Sequence, residues 1–206
     1  MSKMLSSTEL SEMICTRISH DLIGNIGAIS NAVELLDEDA DSLTEIKPIL
    51  DLSAHTLTAR LKFFRLTFGL DNACPRTIAD LEKTAAEYLS TIGGRQTPII
   101  LKLNLSTPRL YKIVLPAVMA LSDVFIRGGE LSVDEQKDGL MLTATSTSPL
   151  STAKLDTYQA VLKGSLPEEN PSQTAPLLYL KEILSEKDVR IDLTFEINRA
   201  VLSLHA

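Results

Sequence analysis

The chain has 206 residues, 44% of them hydrophobic and 4% aromatic with no Trp, enough to bury a substantial, mainly aliphatic core. A formal net charge of -7 argues against a general nucleic-acid binder, because phosphate backbones select basic surfaces. The two cysteines, Cys15 and Cys74, have no CxxC or Cys/His company, so they read as reduced, buried thiols rather than a disulfide framework.

The first seven residues hold no continuous apolar run, so no signal peptide is expected. Ser6-x-x-Glu9 is a capping box that starts a helix. From there Leu10, Ile14, Ile18, Leu22, Ile26, Ile29, Val33 and Leu36 fall at spacings of three and four, one apolar stripe on a long helix. The acidic run 37–42 breaks it. A second stripe follows at Leu43, Ile46, Leu50, Ala54, Leu57, Leu61, Phe64 and Phe68, with Gly69 placed to end the helix. Pro48 fits this helix only if it lies in the first turn. Two long helices joined by a short loop make an antiparallel hairpin. Its stripe needs a cover, either a second copy completing a four-helix bundle, which predicts a homodimer, or the second half of the same chain.

Beyond residue 70 the pattern changes. Thr77-x-x-Asp80 opens a helix that runs to Gly93-Gly94, and residues 99–105 alternate as a half-buried strand. A helix at 107–125 contains the longest apolar stretch, 113–121, about half a membrane span in length and interrupted by Pro116. Strands at 130–134 and 140–146 flank the turn Lys137-Asp-Gly139 as a hairpin. Helices at 152–162 and 175–186 and strands at 189–197 and 200–204 complete the chain, with a polar loop at 167–171. The expected fold is α+β: a helical hairpin (1–70) followed by a two-layer α/β sandwich (71–206) with a mainly antiparallel sheet. No membrane segment is expected, and the protein should be cytoplasmic.

His20 lies inside the first helix in Arg17-Ile-Ser-His-Asp21, about 200° around from Ile18 and opposite the apolar stripe. An exposed imidazole can act as a nucleophile. On its face, at offsets of three, four and seven, stand Arg17, Gly24 and Gly27. Glycine inside a helix costs about 1 kcal/mol relative to Ala. The two glycines either leave room for another protein's active site to approach or permit tight helix packing. Folding the hairpin about residue 41 brings Arg60, Lys62 and Arg65 to the level of His20 and Gly24, which with Arg17 forms a basic rim on an acidic protein. Such a rim suits a phosphoryl group and a carboxylate-rich partner. Asp21 either orients the imidazole or is an ordinary exposed helix carboxylate. His55 lacks an adjacent acid and His205 is close to the last residue. Three scattered histidines make no metal site, and Ser146 and Ser148 have no paired base.

Arg17-x-x-His20-Asp21, Glu34-Leu-Leu-Asp37 and Phe64-Arg-Leu-Thr-Phe-Gly69 resemble the ChpT family of bacterial histidine phosphotransferases, clearly over residues 10–70 and in element order over the rest. The resemblance implies a hairpin that dimerises like the phosphoacceptor domain of a sensor histidine kinase. It implies that His20 accepts a phosphoryl group from the receiver domain of a hybrid kinase and passes it to response regulators, with Asp21 beside it. Sensor kinases usually carry Pro five residues after the histidine, where this chain has Asn25.

The second half resembles the ATP-binding domain of those kinases without its chemistry. The helix that should bear a Mg²⁺-holding Asn, 111–126, has none. Thr145-Ser-Thr-Ser-Pro149 stands where an Asp-x-Gly adenine loop is needed, and Gln173-Thr-Ala-Pro-Leu-Leu178 replaces the glycine-rich lid. Without those glycines, backbone amides cannot cradle phosphates. No cofactor is therefore expected on this chain, and Mg²⁺ is expected only on the partner receiver. In the related family the second domain forms part of the docking surface. The reading from another class is a non-catalytic module that docks on kinase or receiver domains, and an ATP-dependent kinase fragment is disfavoured.

Overall fold

The computed structural model describes residues 5–38, 43–69, 74–94, 96–185, 187 and 189–205. Two long helices, α1 (Ser7–Glu38) and α2 (Leu43–Phe68), form the antiparallel hairpin. The Ser6/Glu9 capping box is present: Glu9 N–H donates to the Ser6 hydroxyl at 3.1 Å, and the Glu9 carboxylate accepts from Ser6 N–H at 2.8 Å. Residues 39–42 of the expected acidic loop lie outside the described residues. Pro48 sits in the second turn of α2, not the first. The helix tolerates it because the forfeited bond would go to Thr44, and both residues are exposed to water.

After the hairpin come α3 (Ile78–Ser90), β1 (Ile99–Asn104), a 3-10 turn (Pro108–Leu110), α4 (Tyr111–Ser122), β2 (Gly129–Gln136), β3 (Gly139–Thr145) and α5 (Thr152–Leu162). A second 3-10 turn (Pro171–Thr174) runs into α6 (Ala175–Ser185), followed by β4 (Arg190–Glu196) and β5 (Arg199–His205). The reciprocal Thr77/Asp80 box caps α3, which stops at Ser90 short of the glycine pair. The sheet order is β1-β2-β3-β5-β4, with β1 parallel to β2 and every other pairing antiparallel. Leu131, Val133, Leu142, Ala144, Ala200 and Leu202 point from one sheet face into the core, and α4 is buried from Val114 to Ser122. These two layers are the expected α+β sandwich. Among the described residues no helix is long and apolar enough to cross a membrane.

The hairpin is not a separate packing unit. Phe63 and Phe64 of α2 belong to the same hydrophobic core as Leu81, Leu115 and Leu142. Phe63 is fully buried and stacks on Tyr88 of α3, ring centroids 3.8 Å apart. From α4, the Lys112 ammonium donates to the carbonyls of Thr67 and Gly69 at the end of α2, where a cation also opposes the helix dipole. Phe63→Ala should therefore cost about 3–5 kcal/mol and shift one cooperative transition. Urea unfolding at fixed protein concentration should give coincident curves for helical circular dichroism and for tyrosine fluorescence. Two separate transitions would show that the hairpin folds on its own.

Along the hairpin seam most of the buried side chains are small, Ala32, Ser53, Thr56 and Ala59, with the larger Ile46 near the start of α2. Many of the other large aliphatic residues of the hairpin face away from it. Of the stripe residues Ile26, Val33, Leu43 and Leu61 are about half exposed, and Ile23, Leu35, Ile49 and Leu52 beside the stripe are exposed as well, so the hairpin keeps an uncovered apolar surface in the single chain. The second half of the chain covers the stripe along the first half of α1, where Leu10, Ile18 and Leu22 pack against the core, and near the far end of α2 at Phe64 and Phe68. Cys15 and Cys74 are free but exposed, contrary to the expectation of buried thiols. Cys15 falls on the outer face of α1, and Cys74 precedes α3 in a connecting segment.

Candidate functional site

His20 projects from the middle of α1 with its side chain 81% exposed, as its helical position requires. Its Nδ1 faces Asp21 Oδ1 at 3.4 Å. Asp21 itself is not an ordinary surface carboxylate. Its side chain is 15% exposed, and its other oxygen, Oδ2, accepts from Arg17 Nε at 2.9 Å.

The second half of the chain determines where Arg17 points. The guanidinium is 9% exposed and meets Asp123, at the end of α4, through two parallel bonds: Nη1 to Oδ2 at 2.7 Å and Nη2 to Oδ1 at 2.9 Å. Nη1 also reaches the Gln173 carbonyl at 3.3 Å. Burial alone would lower the pKa of Arg17. The hydrogen bond and charge of Asp123 and the charge of Asp21 outweigh it, and the net shift is well upward. Tyr158 donates to Asp123 Oδ2 at 3.4 Å, and burial, then the Asp123 charge, pushes its phenol far above its ordinary value. Arg17 is thus a buried ion-pair partner, not part of an open basic rim.

Arg60 is also committed. Its Nη1 donates to the backbone carbonyl of Asp21, and its Nε and Nη2 reach the hydroxyl and carbonyl of Thr91 at 3.1 Å each. This clamp ties α2, α1 and the end of α3 together at the level of His20, whereas folding about residue 41 places Arg60 nearer Gly24, one turn along α1. Of the four expected rim cations, only Lys62 and Arg65 remain exposed. Gly24 and Gly27 are exposed, and a Cβ built on either meets nothing within 4 Å. Within the chain they therefore serve no tight helix packing, and they leave the surface beside His20 open.

A polar cleft of about 250 Å³ opens beside the imidazole, lined by Arg17, His20, Asp21, Lys154, Asn170, Ser172 and Gln173. Four of these come from the second half of the chain, and the sequence alone points to none of the four beside His20, Gln173 standing out there only as the start of the segment that replaces a glycine-rich lid. Asn170 adopts a left-handed backbone (φ 48) that turns the loop into the Pro171–Thr174 segment. Asp123 carried one signal: it closely follows the apolar run 113–121, and a carboxylate drawn into the core with that run needs a cation for a partner. A second cleft of about 240 Å³, between the start of α1 and helices α5 and α6, is largely apolar and far along α1 from His20. His55 and His205 are exposed. Among the described residues no group of three His, Cys, Asp or Glu side chains is placed to hold a metal.

No family model matches the chain. A protein phosphotransferase ChpT from Brucella abortus (strain 2308) is 33% identical over 134 residues, which is 63% of this chain and 62% of that protein. The aligned region therefore spans less than two thirds of the relative. The solved structure of a bacterial phosphotransferase matches 99% of both chains at 25% identity, with a TM-score of 0.80. A histidine kinase from Burkholderia phymatum STM815 is a much weaker match, 14% identical over 98% of both chains with a TM-score of 0.41. In sequence over the larger part of the chain, and in fold over nearly all of it, the chain is similar to bacterial phosphotransferases, ChpT among them.

Proposed function

We propose that the chain is a histidine phosphotransferase of a two-component phosphorelay. His20 accepts a phosphoryl group from the receiver domain of a hybrid histidine kinase and passes it to the receivers of response regulators. One observation carries this reading: an imidazole 81% exposed in mid-helix, backed by a carboxylate and flanked by two glycines with open space around them. That geometry gives a nucleophile that another protein's active site can approach closely. Exposed Lys62 and Arg65 offer positive charge to an acidic receiver pocket, and Gly24 and Gly27 leave it room. Arg17 and Arg60 serve the same surface indirectly, by holding Asp21 and the helix beneath it.

The His20 nitrogen attacks the receiver's aspartyl phosphate in line, and the reverse step hands the group on. Mg²⁺ belongs to the receiver, where it supplies charge neutralisation. ATP is not the phosphate source in this reading. The segment standing in place of a nucleotide lid is a 3-10 turn that holds Arg17 through the Gln173 carbonyl. The half-exposed aliphatic residues on both hairpin helices support a homodimer with a four-helix bundle, and the setting is cytoplasmic.

The test is incubation with a separately phosphorylated receiver domain. Acid-labile phosphate should appear on the chain, and labelling directly from ATP should not occur. Binding of the receiver without transfer would favour a non-catalytic docking module. Gly24→Leu sharpens the test, because the position is open and the chain should fold and dimerise as before. Transfer should fall by about a hundredfold or more, as misplaced reactants lose that much. Unchanged transfer with an unchanged dimer would count against close approach at this face.

A further inference from the structure

We infer that Asp123, acting through Arg17 and Asp21, positions the His20 ring so that Nδ1 keeps the proton and Nε2 is the attacking atom. The inference rests on the phosphotransfer reading for its chemistry, but its geometry stands independently. Neighbouring residues on a helix do not face one another. An unrestrained Asp21 would turn its carboxylate to water. Here Arg17 Nε holds Asp21 Oδ2 at 2.9 Å, which leaves Oδ1 directed at His20 Nδ1 at 3.4 Å. Arg17 is fixed in turn by its two-pronged pair with Asp123 and by the Gln173 carbonyl. Asp123 is held at the end of the buried helix α4 with Tyr158 donating to it, and its side chain is 8% exposed. The second half of the chain thus reaches the nucleophile through two consecutive ion pairs.

A carboxylate only accepts hydrogen bonds, so the ring nitrogen facing it must be the donor. The proton therefore stays on Nδ1, and the lone pair of Nε2 points away from Asp21 into the open. In the transfer step that lone pair forms the N–P bond as the P–O bond to the receiver's aspartate breaks, and the bonding pair leaves with the aspartate carboxylate. The positive charge that appears on the ring is met by Asp21 across the Nδ1–H bond. No proton has to move for the step to balance. Asp123 and Arg17 are positioning residues in this scheme, since neither touches the phosphoryl group.

The tautomer of His20 can be read directly. Long-range ¹H–¹⁵N spectra of the full chain, labelled in the ring nitrogens and recorded where the imidazole is neutral, should show Nδ1 protonated and Nε2 bare. Asp21→Asn, whose amide can donate to Nδ1, should move the ring toward the Nε2–H form. The double variant Arg17→Met with Asp123→Leu removes the connection and the more deeply buried of the two carboxylates it would strand, leaving only the partly exposed Asp21, so it should fold. It should shift the tautomer the same way and slow transfer by about tenfold to a hundredfold. A wild-type ring with the proton on Nε2 overturns the inference, as does a folded double variant with an unchanged tautomer and unchanged transfer. If the tautomer responds but the wild-type protein takes no phosphate from a receiver, the relay fails and the positioning stands. Transfer with a tautomer that ignores both substitutions sinks the positioning alone.

Discussion

In His20→Ala, acid-labile phosphate transferred from a phosphorylated receiver should disappear completely, while the thermal midpoint and the oligomeric state stay as in the parent protein. The expectation of total loss comes from chemistry. Among the described residues no second imidazole lines the cleft, and His55 and His205 are exposed elsewhere. The expectation of unchanged stability comes from exposure: the side chain is 81% open, and surface substitutions away from caps, cores and ion pairs barely move stability. His55→Ala is the matching control and should transfer at the parent rate. Residual acid-labile label in His20→Ala would place the acceptor elsewhere. A large drop in thermal midpoint would show that the ring has a structural role that the geometry does not indicate.

Arg17→Met should destabilise the fold by about 3–5 kcal/mol, because removing one partner of a buried ion pair strands the other. Two carboxylates would be stranded here, Asp123 and Asp21, with side chains 8% and 15% exposed. For a protein of ordinary stability, about 5–15 kcal/mol in total, that is a large share. The double variant Arg17→Met with Asp123→Leu should recover much of the loss, since volume-matched apolar replacement of a buried pair is often neutral. Denaturant unfolding of the three proteins at one concentration checks the ordering. A single variant as stable as the parent would mean that Asp123 finds water or another cation.

Much of the architecture was legible because it rests on local signals. The capping residues at Ser6 and Thr77, the breaks at Gly69 and the 137–139 turn, and the switch from threes and fours to alternation set the elements nearly in full. The exposure of His20 followed from its helical angle alone. Arg17 was misread for the reason that makes it interesting. Its angle on α1 places it beside His20, but a helical wheel cannot see that α4 ends against that face and brings Asp123 to it. Arg60 was placed near Gly24, within a turn of the Asp21 carbonyl it meets, yet its partner Thr91 belongs to a helix end some thirty residues on. Cleft residues such as Lys154 and Ser172 carry no local mark at all. They matter only because the loop through Asn170 returns to α1.

The Arg60 clamp bears on how such a protein takes part in signalling. Sensor proteins built on helical hairpins can report a stimulus by sliding or rotating one helix against the other. A seam buried mainly through Ala32, Ser53, Thr56 and Ala59, with Ile46 alone of the larger aliphatic residues, would oppose such sliding only weakly, as small side chains interlock little. Arg60 fixes the register at the level of the histidine by joining the Asp21 carbonyl to Thr91. A chain locked in this way holds no information of its own. Under the proposed role, the direction of phosphate flow is a matter of mass action, set by which receivers are loaded and how abundant they are.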